Sequence, residues 1–311
     1  MVMLYYDAEL LQHETGDHPE SSTRLIPASR LLHQMVVQLG CARPGWKPAM
    51  DADVNLVHTP AYTNSLKAFC AAGGGPLDDD TILSRESYDV ALLATGAVVD
   101  AVARVLRGDE RRAFCLIRPP GHHALPAQAM GFCLLNHVAI GARLAMRRLG
   151  LARVLVVDWD VHHGNGTQEI FWEDASVGYF SIHRYPFYPG TGAADEIGGG
   201  SAAGTKLNVP IAYGTSRVEY LAMFSAALTT IAERMRPELV LISAGFDAHK
   251  LDPVGALGLE TEDFQTLTRQ VVAVADQYAE GRIVSVLEGG YHPQALADSV
   301  ELHVHELMRG E

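Results

Sequence analysis

The stretch Val154-Leu155-Val156-Val157-Asp158-Trp159-Asp160-Val161-His162-His163-Gly164-Asn165-Gly166-Thr167 joins consecutive aliphatic residues to a polar loop. Such an aliphatic run reads as a strand buried on both faces, the mark of a parallel sheet covered by helices on either side. In the loop, Asp160 and His162 stand two residues apart and can point the same way in extended backbone. A carboxylate oxygen and an imidazole nitrogen suit zinc or another borderline divalent ion. Alone, that spacing reads better as a solvated loop. The tandem histidines and the tight backbone allowed by Gly164 and Gly166 shift the reading towards a ligand pair.

The same pattern extends outward in both directions. Val2–Tyr6, Ala113–Ile117, Val177–Ile182, Leu239–Ile242 and Ile283–Leu287 read as further strands. Helical stretches cover Ser21–Leu39, Asp89–Leu106, Leu134–Leu149, Val218–Met235, Glu262–Tyr278 and Pro293–Met308. This alternation predicts an α/β fold, with a central, mainly parallel sheet and helices on both faces. No repeat or linker divides the chain, so one domain over residues 1–311 is expected.

Composition narrows the function. Apolar residues make up 48% of the chain, enough for a large core, and the formal net charge is −13. That charge argues against direct binding of nucleic acid or an anionic membrane. It suits a cationic substrate, such as a basic peptide or a polyamine, or serves solubility alone. Cys41, Cys70, Cys115 and Cys133 lack the close pairing of a zinc ribbon or redox motif and read as buried free thiols. The opening Met1-Val2-Met3-Leu4-Tyr5-Tyr6-Asp7 lacks the features of a signal peptide. No segment approaches the roughly 18 apolar residues of a membrane span. The expectation is a soluble, cytoplasmic protein whose oligomeric state stays open.

Polar residues gather just past the strand ends, where open parallel sheets bind their ligands. Asp247, in Ser243-Ala244-Gly245-Phe246-Asp247, can supply a third metal ligand from a different strand. Three protein ligands leave room for water and a substrate oxygen. In Arg118-Pro119-Pro120-Gly121-His122-His123, two imidazoles ride on a loop fixed by two prolines. They are either solvated loop residues or the base and acid that an attacking water and a leaving amine require. In Leu287-Glu288-Gly289-Gly290-Tyr291, the glycines allow close backbone approach to a ligand. The phenol either packs at a strand end or donates a hydrogen bond to a developing oxyanion. Four loops bringing such groups to one edge favour the chemical reading of all of them.

These segments, with Gly131-Phe132-Cys133-Leu134-Leu135-Asn136, closely resemble the zinc-dependent histone deacetylase family, most of all its class II and bacterial members. The resemblance runs from about His13 to Leu307. It implies a single arginase-like α/β domain that hydrolyses an acyl amide with a zinc-activated water. It further implies Asp160, His162 and Asp247 as ligands of one zinc ion, with ferrous iron as the alternative metal. His122 and His123 match the active-site histidines, the second being the general base; Asp158 would orient His122, and Asn165 would partner His123. Many relatives carry Asp at the Asn165 position, and a neutral amide stabilises imidazolium less, so His123 should titrate lower here. Tyr291 matches the phenol that polarises the scissile carbonyl.

For the substrate, the resemblance implies Gly131, Phe132 and Tyr188 at the walls of a narrow tunnel, Val254 near its mouth, and Arg24 by a cavity for the released acid. Asp158, Asp160, His162, Ser181 and Ile182 match a structural potassium site. Acyl-lysine side chains and acylated polyamines are both represented. Polyamine-directed members can carry Glu where Val254 stands, which tilts the expectation towards acyl-lysine. A silent acyl-lysine binding module is disfavoured by the full set of ligands, histidines and tyrosine. A dinuclear ureohydrolase needs more metal-binding carboxylates. His163 and His183 read as packing or loop residues, and His137 and His249 receive no role.

Overall fold

The strands are β1 (Val2–Tyr5), β2 (Gly75–Pro76), β3 (Ile82–Leu83), β4 (Arg112–Cys115), β5 (Val154–Asp158), β6 (Val177–Arg184), β7 (Lys206–Ile211), β8 (Leu239–Ala244) and β9 (Ile283–Leu287). The helices are α1 (Ile26–Leu39), α2 (Asp51–Val54), α3 (Pro60–Ala71), α4 (Ser87–Arg107), α5 (His137–Arg147), α6 (Asn165–Ile170), α7 (Arg217–Met235), α8 (Thr261–Tyr278) and α9 (Pro293–Met308). This computed structural model describes residues 1–309, so the last two residues of the expected 1–311 domain lie outside the described residues.

Seven strands form one sheet in the order β1-β4-β9-β8-β5-β6-β7, with parallel pairing throughout. In β5 every residue is buried, so its alternate side chains must enter cores on opposite faces. Leu155 and Val157 join one apolar cluster with side chains of α1, α7, α8 and α9; Val154 and Val156 join another with α4 and α5. The fold is thus a single α/β domain with helices on both faces, as the aliphatic runs imply.

Differences lie mostly at element ends. The expected first helix begins with a 3₁₀ turn, Ser22–Leu25, before Pro27 in the first turn of α1 starts the regular α-helix. The expected helix Leu134–Leu149 is shorter, because Asn136 caps α5 by accepting the Ala139 N–H. Strand β7 goes unread in the sequence because Lys206, Asn208 and Pro210 interrupt its apolar residues. Proline is tolerated there because β7 is the sheet's edge. Lys206 is nonetheless buried: its ammonium donates to Asp174 O at 3.1 Å, Val177 O at 2.8 Å and Thr205 Oγ1 at 2.8 Å.

Beneath the sheet, His303 of α9 is fully buried, with Nδ1 2.6 Å from Thr268 Oγ1 and Nε2 2.9 Å from Ser285 Oγ. Burial pushes its pKa down to about 3. The unfolded chain takes this proton below about pH 6.5, whereas the folded protein refuses it. The contribution is therefore intact above that pH and is lost as pH falls towards the folded value. For this one group the loss at pH 5 is about 2 kcal/mol. Urea denaturation at pH 7 and pH 5 should show His303→Gln losing less stability than wild type by about that amount. Equal losses in the two proteins would contradict the assignment.

Candidate metal centre and active site

The chemistry-bearing loops follow β4, β5, β8 and β9, and these four strands lie side by side as β4-β9-β8-β5. Their carboxyl ends therefore open onto one crevice. Asp160 and His162 enter it from the β5 loop, Asp247 from the β8 loop, Gly289 to Tyr291 from the β9 loop, and His122 and His123 from the segment after β4. Arg118 anchors that last segment. It is fully buried and forks onto Glu20, with Nε 3.0 Å from Oε1 and Nη2 2.7 Å from Oε2.

The ligand atoms of Asp160, His162 and Asp247 lie within 4.8 Å of one another, and all three residues are buried. His162 Nδ1 is 3.0 Å from Asp160 Oδ1 and 3.2 Å from Asp247 Oδ2. Asp247 Oδ1 accepts the Val161 N–H at 2.9 Å, but Oδ2 has no well-directed donor among the described residues. Burial and the neighbouring Asp160 push Asp247 up to about 7. His162 is raised to about 9, burial being outweighed by the two carboxylates. An orphaned, completely buried carboxylate oxygen beside a second carboxylate and an imidazole is a site short of positive charge. A divalent cation fits it. The backbone leaves space for the cluster: a Cβ on Gly289 would lie 2.1 Å from Asp247 Oδ2 and 2.6 Å from Asp160 Oδ2.

Another buried group, His122, Cys133 and Glu288, also has ligand atoms within 4.8 Å. Both Glu288 oxygens and His122 Nδ1 are already hydrogen-bonded. Glu288 Oε2 accepts Gly121 N at 2.7 Å and His122 N at 3.1 Å, and Oε1 accepts Ser243 Oγ at 2.9 Å. His122 Nδ1 lies 3.0 Å from Asp158 Oδ2. The carboxylate oxygen without a donor belongs to the Asp160, His162 and Asp247 group.

The paired histidines are in different electrostatic environments although their ring centroids are 4.0 Å apart. His122 is pushed up to about 10, because Asp158, Asp160 and Glu288 outweigh its burial. His123 is held well below its usual value by burial, then by repulsion from His122 and His162. Its Nδ1 lies 2.8 Å from Asn165 Oδ1, and Asn165 Nδ2 turns to Met130 Sδ at 3.3 Å. Tyr291 is held well above its usual value, chiefly by burial and then by Asp247 and Asp160, so its phenol is a hydrogen-bond donor.

His122, His123, His162 and Tyr291 line a cavity of about 180 Å³ together with Asp80, Pro120, Gly131, Phe132, Phe187, Tyr188 and Val254. Phe132 adopts φ 68°, a left-handed conformation costing a bulky residue on the order of 1–3 kcal/mol. Its N–H donates to Thr81 Oγ1 at 3.3 Å, and its ring meets the Tyr291 ring edge-on at 5.8 Å. Tyr188 packs edge-on against His123 at 5.2 Å. Phe187, unread in the sequence, stacks on His162 at 5.2 Å and 16°. Its signal was present, an aromatic beside Tyr188 in a proline-bounded segment, but an adjacent residue in extended chain is expected to face away.

Arg24 packs against the loop after β9. It is buried and donates to Glu288 O at 3.0 Å and Gly290 O at 3.2 Å, with its guanidinium 5.3 Å from the Tyr291 ring centroid. Ser181 and Ile182 are buried in β6, Ser181 in register with Asp158. The Ser181 hydroxyl is bonded to His183 Nδ1 at 2.9 Å, so the potassium expectation rests on the resemblance alone. His163 bonds Thr191 and Gln168, His137 bonds Thr95 Oγ1 and Pro119 O, and His249 stacks on Phe264. The contacts of these three histidines, and of His183, are packing and loop contacts. Asp252 and Glu288 went unread as site residues because one looks like a turn former and the other is masked by the glycines after it.

Residues 18–307 match the histone deacetylase domain. The chain is 36% identical over 312 residues to a probable deacetylase of Archaeoglobus fulgidus, covering 99% of this chain and 86% of that protein. It is 41% identical over 245 residues to a histone deacetylase-like amidohydrolase of Pseudomonas aeruginosa, covering 78% of this chain and 64% of that one. Among solved structures, the HDA15 HD domain superposes with a TM-score of 0.93 at 34% identity, covering 99% of this chain and 91% of that one. With the fold, the crevice and the sequence in agreement, the chain belongs to the histone deacetylase domain family.

Proposed function

We propose that the protein is a metal-dependent deacylase that hydrolyses the side-chain amide of acylated lysine. The observation that carries this reading is the buried Asp160, His162 and Asp247 group, whose His162 lines one cavity together with His122, His123 and Tyr291. Asp160, His162 and Asp247 would hold one divalent ion, with zinc favoured by the mixed oxygen and nitrogen donors and ferrous iron acceptable to the same set. When bound, such an ion supplies Lewis acidity that polarises a carbonyl and acidifies a water.

The chain's own groups do the rest. His123 donates its Nδ1–H to Asn165 Oδ1, which leaves the Nε2 lone pair free to take a proton from the attacking water. Its depressed pKa keeps it neutral and available for that task. The same Nε2 then returns the proton to the departing amine. Tyr291 donates its phenolic hydrogen to the carbonyl oxygen as negative charge develops there. His122, held charged by Asp158, keeps a fixed positive charge beside the reacting groups. The aromatic walls accept a slender alkyl stem and exclude water around the amide.

Val254 supports lysine side chains over polyamines, since an ammonium group next to an apolar mouth finds no compensating charge. The Asp80 carboxylate at the rim supports the second reading, acetylated polyamines.

Metal analysis of the purified protein should find close to one equivalent of divalent ion, and Asp247→Ala should lose most of it. Full retention in that variant would remove the ligand assignment. Tyr291→Phe should fold and bind metal normally but turn over on the order of 100- to 1,000-fold more slowly; wild-type turnover would exclude the oxyanion role. Val254→Glu should raise kcat/KM for acetylpolyamines relative to a neutral acetyl-lysine peptide, through an attraction of ~1 kcal/mol. The gain should shrink with added salt. An unmoved ratio, or a strong wild-type preference for polyamines, would overturn the substrate choice.

A further inference from the structure

The segment after β8 wraps around Asp247 and returns to the rim, and one side chain fastens it. Asp252 is buried, and its two carboxylate oxygens have separate tasks. Oδ1 accepts the N–H groups of Val254 at 2.9 Å and Gly255 at 3.0 Å, closing the turn that carries the tunnel mouth. Oδ2 accepts the N–H of Tyr291 at 2.6 Å, on the loop after β9 and 39 residues away in the chain. A turn of this kind needs only the first oxygen. The second bond fixes the backbone of the residue whose phenol faces the reacting carbonyl.

We propose that Asp252 is a positioning residue that holds the Tyr291 phenol and the Val254 wall as one unit. This inference rests on the role assigned to Tyr291 above. The ring of Tyr291 is guided at its sides by Phe132 and Arg24. Neither contact sets how far the phenol reaches along the tunnel. The backbone sets that reach, and the Asp252 Oδ2 bond pins the backbone at the residue's own nitrogen. A short charge-assisted bond in a buried site is a firm restraint.

Asp252→Asn separates the two tasks. Its amide oxygen satisfies the two turn N–H groups, and its NH₂ then faces the N–H of Tyr291, so the cross-loop bond is replaced by repulsion. On a neutral acetyl-lysine peptide, Asp252→Asn should keep its metal and its fold, with a lowered thermal midpoint, but lose kcat by roughly 10- to 100-fold, with KM little changed. Once the phenol is removed, its position no longer matters. Asp252→Asn/Tyr291→Phe should therefore turn over within about 2-fold of Tyr291→Phe alone. Asp252→Ser can accept at the turn but is too short to reach Tyr291, and serves as a second variant with the same expectations. Wild-type kcat in these variants, loss of metal, or an equal penalty with and without the phenol would overturn the proposal. A slow Tyr291→Phe with a multiplicative double variant rejects Asp252 alone, whereas a wild-type Tyr291→Phe rejects the reading of Tyr291 and this inference with it.

Discussion

Four carboxylates, those of Asp158, Asp160, Asp247 and Glu288, are buried together at one edge of the sheet. Each would cost several kcal/mol if left unanswered there. Three are answered by the chain. Asp158 has His122 and Tyr179, Asp160 has His162 and the N–H groups of His162 and Gly289, and Glu288 has two backbone N–H groups and Ser243. Asp247 is answered on one oxygen only. That residual imbalance is the physical basis of the proposed cation. It also explains the local backbone, because side chains on the surrounding loops would collide with the acids. A Cβ on Gly164 would lie 2.2 Å from Asp158 Oδ2, just as one on Gly289 would strike Asp247.

The same acids divide the labour of the two histidines. His122 is surrounded by Asp158, Asp160 and Glu288, whereas His123 has a neutral amide partner and lies next to two other imidazoles. Adjacent residues on one loop thus acquire opposite charge preferences without any difference in their own chemistry. A carboxylate in place of Asn165 would narrow that gap by stabilising an imidazolium at His123. On the proposed reading, the neutral partner suits a base that must begin its cycle unprotonated.

Much of this was legible in the sequence because parallel strands are short aliphatic runs and their chemistry follows directly at the carboxyl end. Asp160, His162, Asp247, His122, His123 and Tyr291 all occupy such positions, and the fold brings them together. Topology was not legible. Nothing local in β8 and β9 announces that they insert between β4 and β5, yet that insertion makes the four loops neighbours. Residues acting through long-range contacts were also hidden. Asp252 looks like an ordinary turn former until Tyr291 is seen against it, and Glu20 shows its purpose only when Arg118 and Arg24 reach it. Strand β7 escaped because its lysine is hydrogen-bonded to backbone carbonyls, a form of burial that no hydrophobic pattern records.

These constraints separate where the chemistry is set from where selectivity can vary. At the floor, a change in any one acid leaves its partners with uncompensated charge, so substitutions there carry large penalties. At the rim, Tyr188 is exposed and Asp80 and Val254 are half-buried, so their side chains can change at small cost. Val254 joins both regimes, because its side chain lines the mouth while its N–H is held by Asp252. A different side chain at that position alters what the mouth attracts but leaves the backbone bond in place. On the proposed reading, substrate preference can therefore shift at residue 254 without moving the phenol of Tyr291, whose backbone the same carboxylate restrains.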